Sequence, residues 1–181
     1  MKRKLALILI IILNVISCSE TKKEDSQKHV EKDGVLYEAN SNEPFTGIDK
    51  TYYENGQLKF EAKFQNGKPN GVGKEYFENG VLRFEGNFID GKAQGEHKVY
   101  YENGKLMVVS NLINDKKEGL SKYYLESGEL SSEVNYKNNK EDGIVKVYYK
   151  NGQLKYESNY KNGQPIAIIR EYYENGQLKT E

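Results

Sequence analysis

The side chains able to do chemistry are few, and most of them recur on a fixed spacing. The chain holds one cysteine, Cys18, and two histidines, His29 and His97. One Cys excludes a disulfide framework or a Cys-rich zinc site. The two His stand far apart in sequence with no partner at metal-ligand spacing, and no glycine-rich loop opens a helix to cradle a phosphate. What recurs is Tyr and Lys. Tyr52, Tyr76, Tyr100, Tyr124, Tyr148 and Tyr172 lie 24 residues apart, and two positions before each stands a cation, Lys50, Lys74, Lys98, Lys122, Lys146 or Arg170. A column of Tyr could stack on sugar rings or peptide aromatics. A column of cations could bind phosphate or anionic lipid. Both also have plainer uses within a sheet. Tyr fills a half-buried face against its cross-strand neighbours, and Lys pairs with Glu61, Glu85, Glu133 or Glu157 of an adjoining strand, at ~0–1 kcal/mol for each exposed pair. Catalysis needs asymmetry, and units this alike offer none, so the sequence reads as no enzyme, with no cofactor and no metal.

These columns need an element that repeats with them. Gly56, Gly80, Gly104, Gly128, Gly152 and Gly176 mark the 24-residue register, five of them preceded by Asn. A Leu follows each two residues later, and a second glycine recurs at Gly47, Gly71, Gly95, Gly119 and Gly143. Asn-Gly between two apolar-rich runs predicts a β-hairpin closed by a two-residue type I′ turn. After Gly56, Leu58, Phe60, Ala62 and Phe64 alternate with Lys59, Glu61 and Lys63, the period of a strand with one apolar and one charged face. A seven-residue connection such as 65–71 is expected to lead to the next hairpin. The expected product is all-β: an elongated, open antiparallel meander of about six hairpin units and about thirteen strands, each stabilised by its neighbours. The two-residue turn predicts that Tyr53 pairs with Leu58, Phe77 with Leu82 and Tyr101 with Leu106 on the apolar face, while the Tyr and Lys columns share the other. The short, polar last strand, 177–181, is expected to blunt an edge against further pairing.

The N-terminus reads as an address. Lys2, Arg3 and Lys4 precede about eleven nearly all-apolar residues, the plan of a signal peptide and too short a stretch to span a bilayer. Val15-Ile16-Ser17-Cys18 resembles the bacterial lipoprotein lipobox. That resemblance implies cleavage before Cys18 and acylation of its thiol and new amine, with Ser19 resembling the outer-membrane default of Gram-negative bacteria. Residues 1–17 are thus the signal, 18–33 a flexible polar tether in which His29 has no role, and 34–181 the repeats. The chain as a whole carries 27 basic and 27 acidic residues; removal of the signal leaves 24 basic residues against 27 acidic ones, a formal charge of −3. A mildly acidic chain lacks the basic face that nucleic acid requires.

Phe84 to Gly104, with its aromatic-Glu-Gly start, glycine-containing loop and closing Tyr-Tyr-Glu-Asn-Gly, resembles a MORN repeat. The 24-residue unit is similar to the bacterial MORN variant, including proteins labelled as antitoxins of the YwqK type. The resemblance covers nearly all of the chain from Gly34. It implies an elongated twisted sheet acting as scaffold, oligomerisation or lipid-binding surface, and a protein partner, either a general one or a cognate toxin.

One unit departs from the pattern. Met107 and Val109 stand where the others place Lys, Arg, Ser or Glu, so with Tyr76, Tyr100 and Tyr124 they are expected to form an apolar patch on the charged face, the candidate contact for a partner.

Overall fold

A computed structural model describes residues 29–180. Two short strands, β1 (His29–Lys32) and β2 (Val35–Glu38), pair with each other. The remaining strands are β3 (Gly47–Tyr52), β4 (Leu58–Gln65), β5 (Lys68–Tyr76), β6 (Leu82–Ile89), β7 (Lys92–Tyr100), β8 (Leu106–Ile113), β9 (Lys116–Lys117), β10 (Gly119–Tyr124), β11 (Leu130–Lys137), β12 (Lys140–Tyr148), β13 (Leu154–Lys161), β14 (Gln164–Tyr172) and β15 (Leu178–Thr180). They form one 13-stranded antiparallel sheet in chain order, with the short β9 beside β8. At about 4.8 Å between strands, the meander runs roughly 50–60 Å. The all-β repeat architecture expected from the sequence is the one observed.

The turns differ from the expectation in kind. At Tyr53–Gln57, the Gly56 N–H donates to Tyr53 O at 2.9 Å and the Tyr53 N–H to Gln57 O at 2.8 Å. Gly56 has φ +83°, while Asn55 keeps a negative φ. This is a three-residue turn, a type I turn closed by a left-handed glycine. The Asn55 side chain completes it by accepting the Gln57 N–H at 2.9 Å. The type I′ turn lies at the other end of the strand, at Asn66 (φ 50°) and Gly67 (φ 72°). There is consequently no seven-residue connection: β5 begins at Lys68, directly after that turn. The second glycine of the unit sits inside the strand. Gly71, at φ 121°, lies where the register slips between the Ala62–Gly73 and Phe64–Pro69 pairs, so it forms part of a bulge and not of a loop.

Turn length also shifts the pairing. Leu58 faces Tyr52, Leu82 faces Tyr76 and Leu106 faces Tyr100, one residue away from the pairs expected of a two-residue turn. The next pair is Thr51 with Phe60, so Lys59 is an extra residue. This second bulge breaks the simple alternation. Leu58 lies with the Tyr column, whereas Phe60, Ala62 and Phe64 lie on the opposite, packed face.

That packed face carries the core. Phe45, Ala62 and Phe64 form one buried cluster with Leu36 and Phe60 against it, and Phe88, Ala93 and Leu112 form another with Phe84. Each large apolar side chain so buried contributes about 1.5–3 kcal/mol. His97 lies in the second cluster, 7 % exposed, its ring 5.3 Å from that of Phe88, with Nε2 3.0 Å from Asn87 O. Burial holds its pKa below the usual value. Opposite it stands Gly86, where a Cβ would collide with the imidazole. The β1–β2 hairpin caps the first cluster. His29 Nδ1 lies 2.8 Å from Asp49 Oδ1 and its ring 3.8 Å from that of Phe45. His29–Lys32, read from the sequence as tether, is therefore a strand, because Asp33-Gly34 turns the chain back and Val30 pairs with Tyr37. Cys18 and the rest of the tether and signal lie outside the described residues.

Candidate interaction face

On the face opposite the core, one row of side chains crosses the sheet at right angles to the strands. Register places Lys50 beside Glu61, Glu61 beside Lys74, Lys74 beside Glu85 and Glu85 beside Lys98. From β10 onward the order resumes as Lys122, Glu133, Lys146, Glu157 and Arg170. Contacts in the row include Lys50–Glu61 at 3.5 Å, Lys98–Glu85 at 3.8 Å, Lys122–Glu133 at 3.2 Å and Arg170–Glu157 at 3.4 Å. Cations come from the strand before each turn and carboxylates from the strand after it. Antiparallel pairing therefore alternates the two signs on either side of β8.

The Tyr column lies alongside on the same face, as the sequence led us to expect. Its hydroxyls donate to these carboxylates: Tyr76 to Glu61 at 3.2 Å, Tyr100 to Glu85 at 3.0 Å and Tyr148 to Glu133 at 2.8 Å. Burial first, then the bond to Glu133, pushes the Tyr148 phenol up to about 12. The same bond, more than the neighbouring Lys122, holds the Glu133 carboxyl low against a smaller opposing effect of burial. In these three units the Tyr and Glu columns are occupied with each other.

The row changes once. Val109 stands between Lys98 and Lys122 where every other unit of the row places Glu. The carboxylate has moved to Glu96, which holds Lys98 at 2.7 Å and raises its pKa, by the hydrogen bond first. The equivalent places in other units carry Ile48, Val72, Leu120 and Ile144, exposed aliphatics with 43 % exposure or more. Charge and apolar surface have therefore exchanged rows in the middle of the sheet.

Of the candidate patch, register places Val109, Tyr100 and Tyr124 on the outer face, with Tyr76 further along the same column. It does not bring Met107 with them. Met107 occupies the bulge position, whose counterparts Lys59, Arg83, Lys155 and Lys179 lie over the rings of Tyr53, Phe77, Tyr149 and Tyr173. Met107 is likewise left without a cross-strand partner, between the Val99–Val108 and Tyr100–Leu106 pairs. The turn glycines Gly56, Gly80, Gly104, Gly128, Gly152 and Gly176 line one edge, where successive turns are tied together. Asn103 Nδ2 donates to Glu126 O at 2.9 Å and the Tyr101 hydroxyl to Tyr124 O at 2.8 Å, with equivalent bonds at Asn151 and Tyr149. Their role is architectural.

The sequence reading missed a second polar group, on the packed face. Lys117 Nζ lies 2.9 Å from the Tyr123 hydroxyl, which is 2.9 Å from that of Tyr136, and the cation sits 5.0 Å from the centre of the Tyr136 ring. Burial lowers the Lys117 pKa and raises that of Tyr123. The signal was available in the repeat itself: Lys117 takes the place of Ala93, and Tyr136 that of Phe64, Phe88 and Leu112. Among the described residues, no group of three His, Cys, Asp or Glu could hold a metal ion.

Comparison with a family model agrees with this geometry. The family described as MORN repeat variant matches the chain in six segments, residues 46–66, 69–90, 93–114, 117–138, 141–162 and 167–181. Among solved structures, the chain is similar to the Glycosylation Associate Protein (Gap123) complex from Streptococcus agalactiae, at 17 % identity and a TM-score of 0.35. The similarity covers 57 % of this chain and only 19 % of that one. No curated protein matches the chain.

Proposed function

The chain belongs to the MORN repeat variant family, and from that premise we propose that it is a non-catalytic protein-interaction module, tethered to a bacterial envelope by lipid on Cys18, with its contact surface on the outer face around Val109. The observation that carries the contact surface is the single break in an otherwise regular row. Regular units satisfy their own charges, Lys against Glu and Tyr against Glu. At Val109 the row presents an aliphatic side chain flanked by cations, the place among the described residues where the alternation of charge on this face is interrupted. The envelope location is supported by the order of the N-terminal sequence, a basic start, an apolar run and then the chain's one cysteine. Several acyl chains hold a soluble domain to a membrane far better than one.

The test is affinity capture of the full chain from envelope membranes, with mass spectrometry of co-purified proteins, run beside Val109→Trp, which adds bulk without charge. The expected result is a defined protein recovered with the wild type and lost with the variant. Equal recovery from both would remove the contact surface from Val109. Recovery of a toxin would turn the scaffold reading into an immunity one. Cys18→Ser tests the anchor separately, and is expected to abolish labelling by radioactive palmitate.

A further inference from the structure

The outer row contains its own description of what the break can bind. Each Glu of the row lies between a cation of the preceding strand and a cation of the following one, and three of the four also accept a Tyr hydroxyl. Around Val109 the same surroundings recur without the carboxylate. Lys98 and Lys122 are its cross-strand neighbours, and Tyr124 stands where Tyr76, Tyr100 and Tyr148 stand around theirs. Among the described residues, no carboxylate accepts the Tyr124 hydroxyl. We propose that this site receives a carboxylate from outside: an Asp or Glu side chain of a protein partner, seated between Lys98 and Lys122 and accepting the Tyr124 O–H. The proposal deepens the reading of this face as the contact surface and rests on it.

Three features support that chemistry over an apolar one. A valine side chain ends short of where a glutamate carboxylate would lie, so β8 supplies no carboxylate to the Lys98 and Lys122 that flank it. The two cations are accessible, their side chains 34 % and 41 % exposed. Lys122 already pairs with Glu133 at 3.2 Å, but a cation flanked by two carboxylates is normal in this row, as Lys74 and Lys146 show. Lys98 has replaced its missing partner with Glu96, whose side chain is 61 % exposed. An incoming carboxylate competes with Glu96 for that cation, so Glu96 acts as a weak internal competitor for the site. Charged groups arranged in this way select a partner and its register more than they add raw affinity.

The experiment uses the detergent-solubilised full chain with labelled valine methyls, titrated with acetyl-Leu-Glu-Leu-amide or its Gln counterpart. The expected result is a saturable shift of the Val109 methyls with the Glu peptide alone, with Val72 unmoved. Lys122→Gln is expected to weaken binding by about fivefold, the scale of one exposed ion pair, and Glu96→Gln to strengthen it. Equal shifts with the Gln peptide, absence of saturation, or indifference to Lys122→Gln would overturn the proposal. This titration needs no natural partner. If it fails while Val109→Trp still loses the captured protein, the contact surface stands and its carboxylate chemistry falls.

Discussion

Glu96 holds Lys98 at 2.7 Å from two residues back on the same strand, while Val109 occupies the cross-strand place opposite that lysine. Elsewhere the partner of the cation comes from the neighbouring strand. A carboxylate supplied from the same strand ties that strand to itself. One carried by the neighbour ties two strands together and also receives the next Tyr hydroxyl. The middle of the sheet therefore keeps its charge balance but gives up a cross-strand link.

Restoring that link is expected to stabilise the protein. Val109→Glu places a carboxylate between Lys98 and Lys122 within reach of Tyr124, and should add up to about 1 kcal/mol in urea unfolding, the worth of an exposed pair. The Tyr124 hydroxyl should then donate to the new carboxylate, as that of Tyr148 does to Glu133 at 2.8 Å. An unchanged or lower urea midpoint for Val109→Glu would contradict the equivalence of the five sites.

Gly86→Ala is expected to destabilise the protein by about 1–3 kcal/mol, the usual range for overpacking, because its Cβ collides with the His97 ring. The double variant Gly86→Ala, His97→Ala should lose less than the two single changes combined, since the second removes the object of the collision. Additive losses would show that the two residues do not press on each other.

His97 should also make stability depend on pH. Burial depresses its pKa in the folded state below the ordinary value of 6.5, so below that value the unfolded chain binds the proton more readily. Stability should fall as pH drops through about 6.5 and towards the lower folded pKa. His97→Phe should remove that component from unfolding midpoints measured between about pH 7 and 5. A variant with the same pH slope as the wild type would rule out His97 as its source.

Tyr101→Phe removes the hydroxyl that donates to Tyr124 O at 2.8 Å, and is expected to cost about 0.5–1.5 kcal/mol. Leu125→Tyr should restore a comparable link one unit further on, because the repeat already carries Tyr there at Tyr53, Tyr101 and Tyr149. Chemical denaturation of both variants checks this, and a neutral Tyr101→Phe would mean the ladder of hydroxyls contributes nothing.

The parts of this structure legible in the sequence are those set by local pattern. The 24-residue period, the alternation from Phe60 to Phe64 and the shared face of the Tyr and Lys columns follow from spacing alone. Turn type did not, because Asn-Gly serves both a two-residue turn with two left-handed residues, as at Asn66-Gly67, and a three-residue turn with one, as at Asn55-Gly56. The difference of one residue moved Leu58 from Tyr53 to Tyr52. The bulge after Leu106 likewise separated Met107 from Val109, since an extra residue in one strand has no signature in that strand's own sequence. His29 was misread for a different reason. Its partners Phe45 and Asp49 lie across a hairpin that only the tertiary fold brings near.

The contact surface is tested most directly by a photo-activated cross-linking residue at position 109 of the membrane-tethered full chain, compared with the same residue at Ile48, five strands away on the same face. The expected result is one cross-linked protein from position 109 and none from position 48. Equal yields from both positions, or none from position 109, would contradict a contact surface centred on Val109.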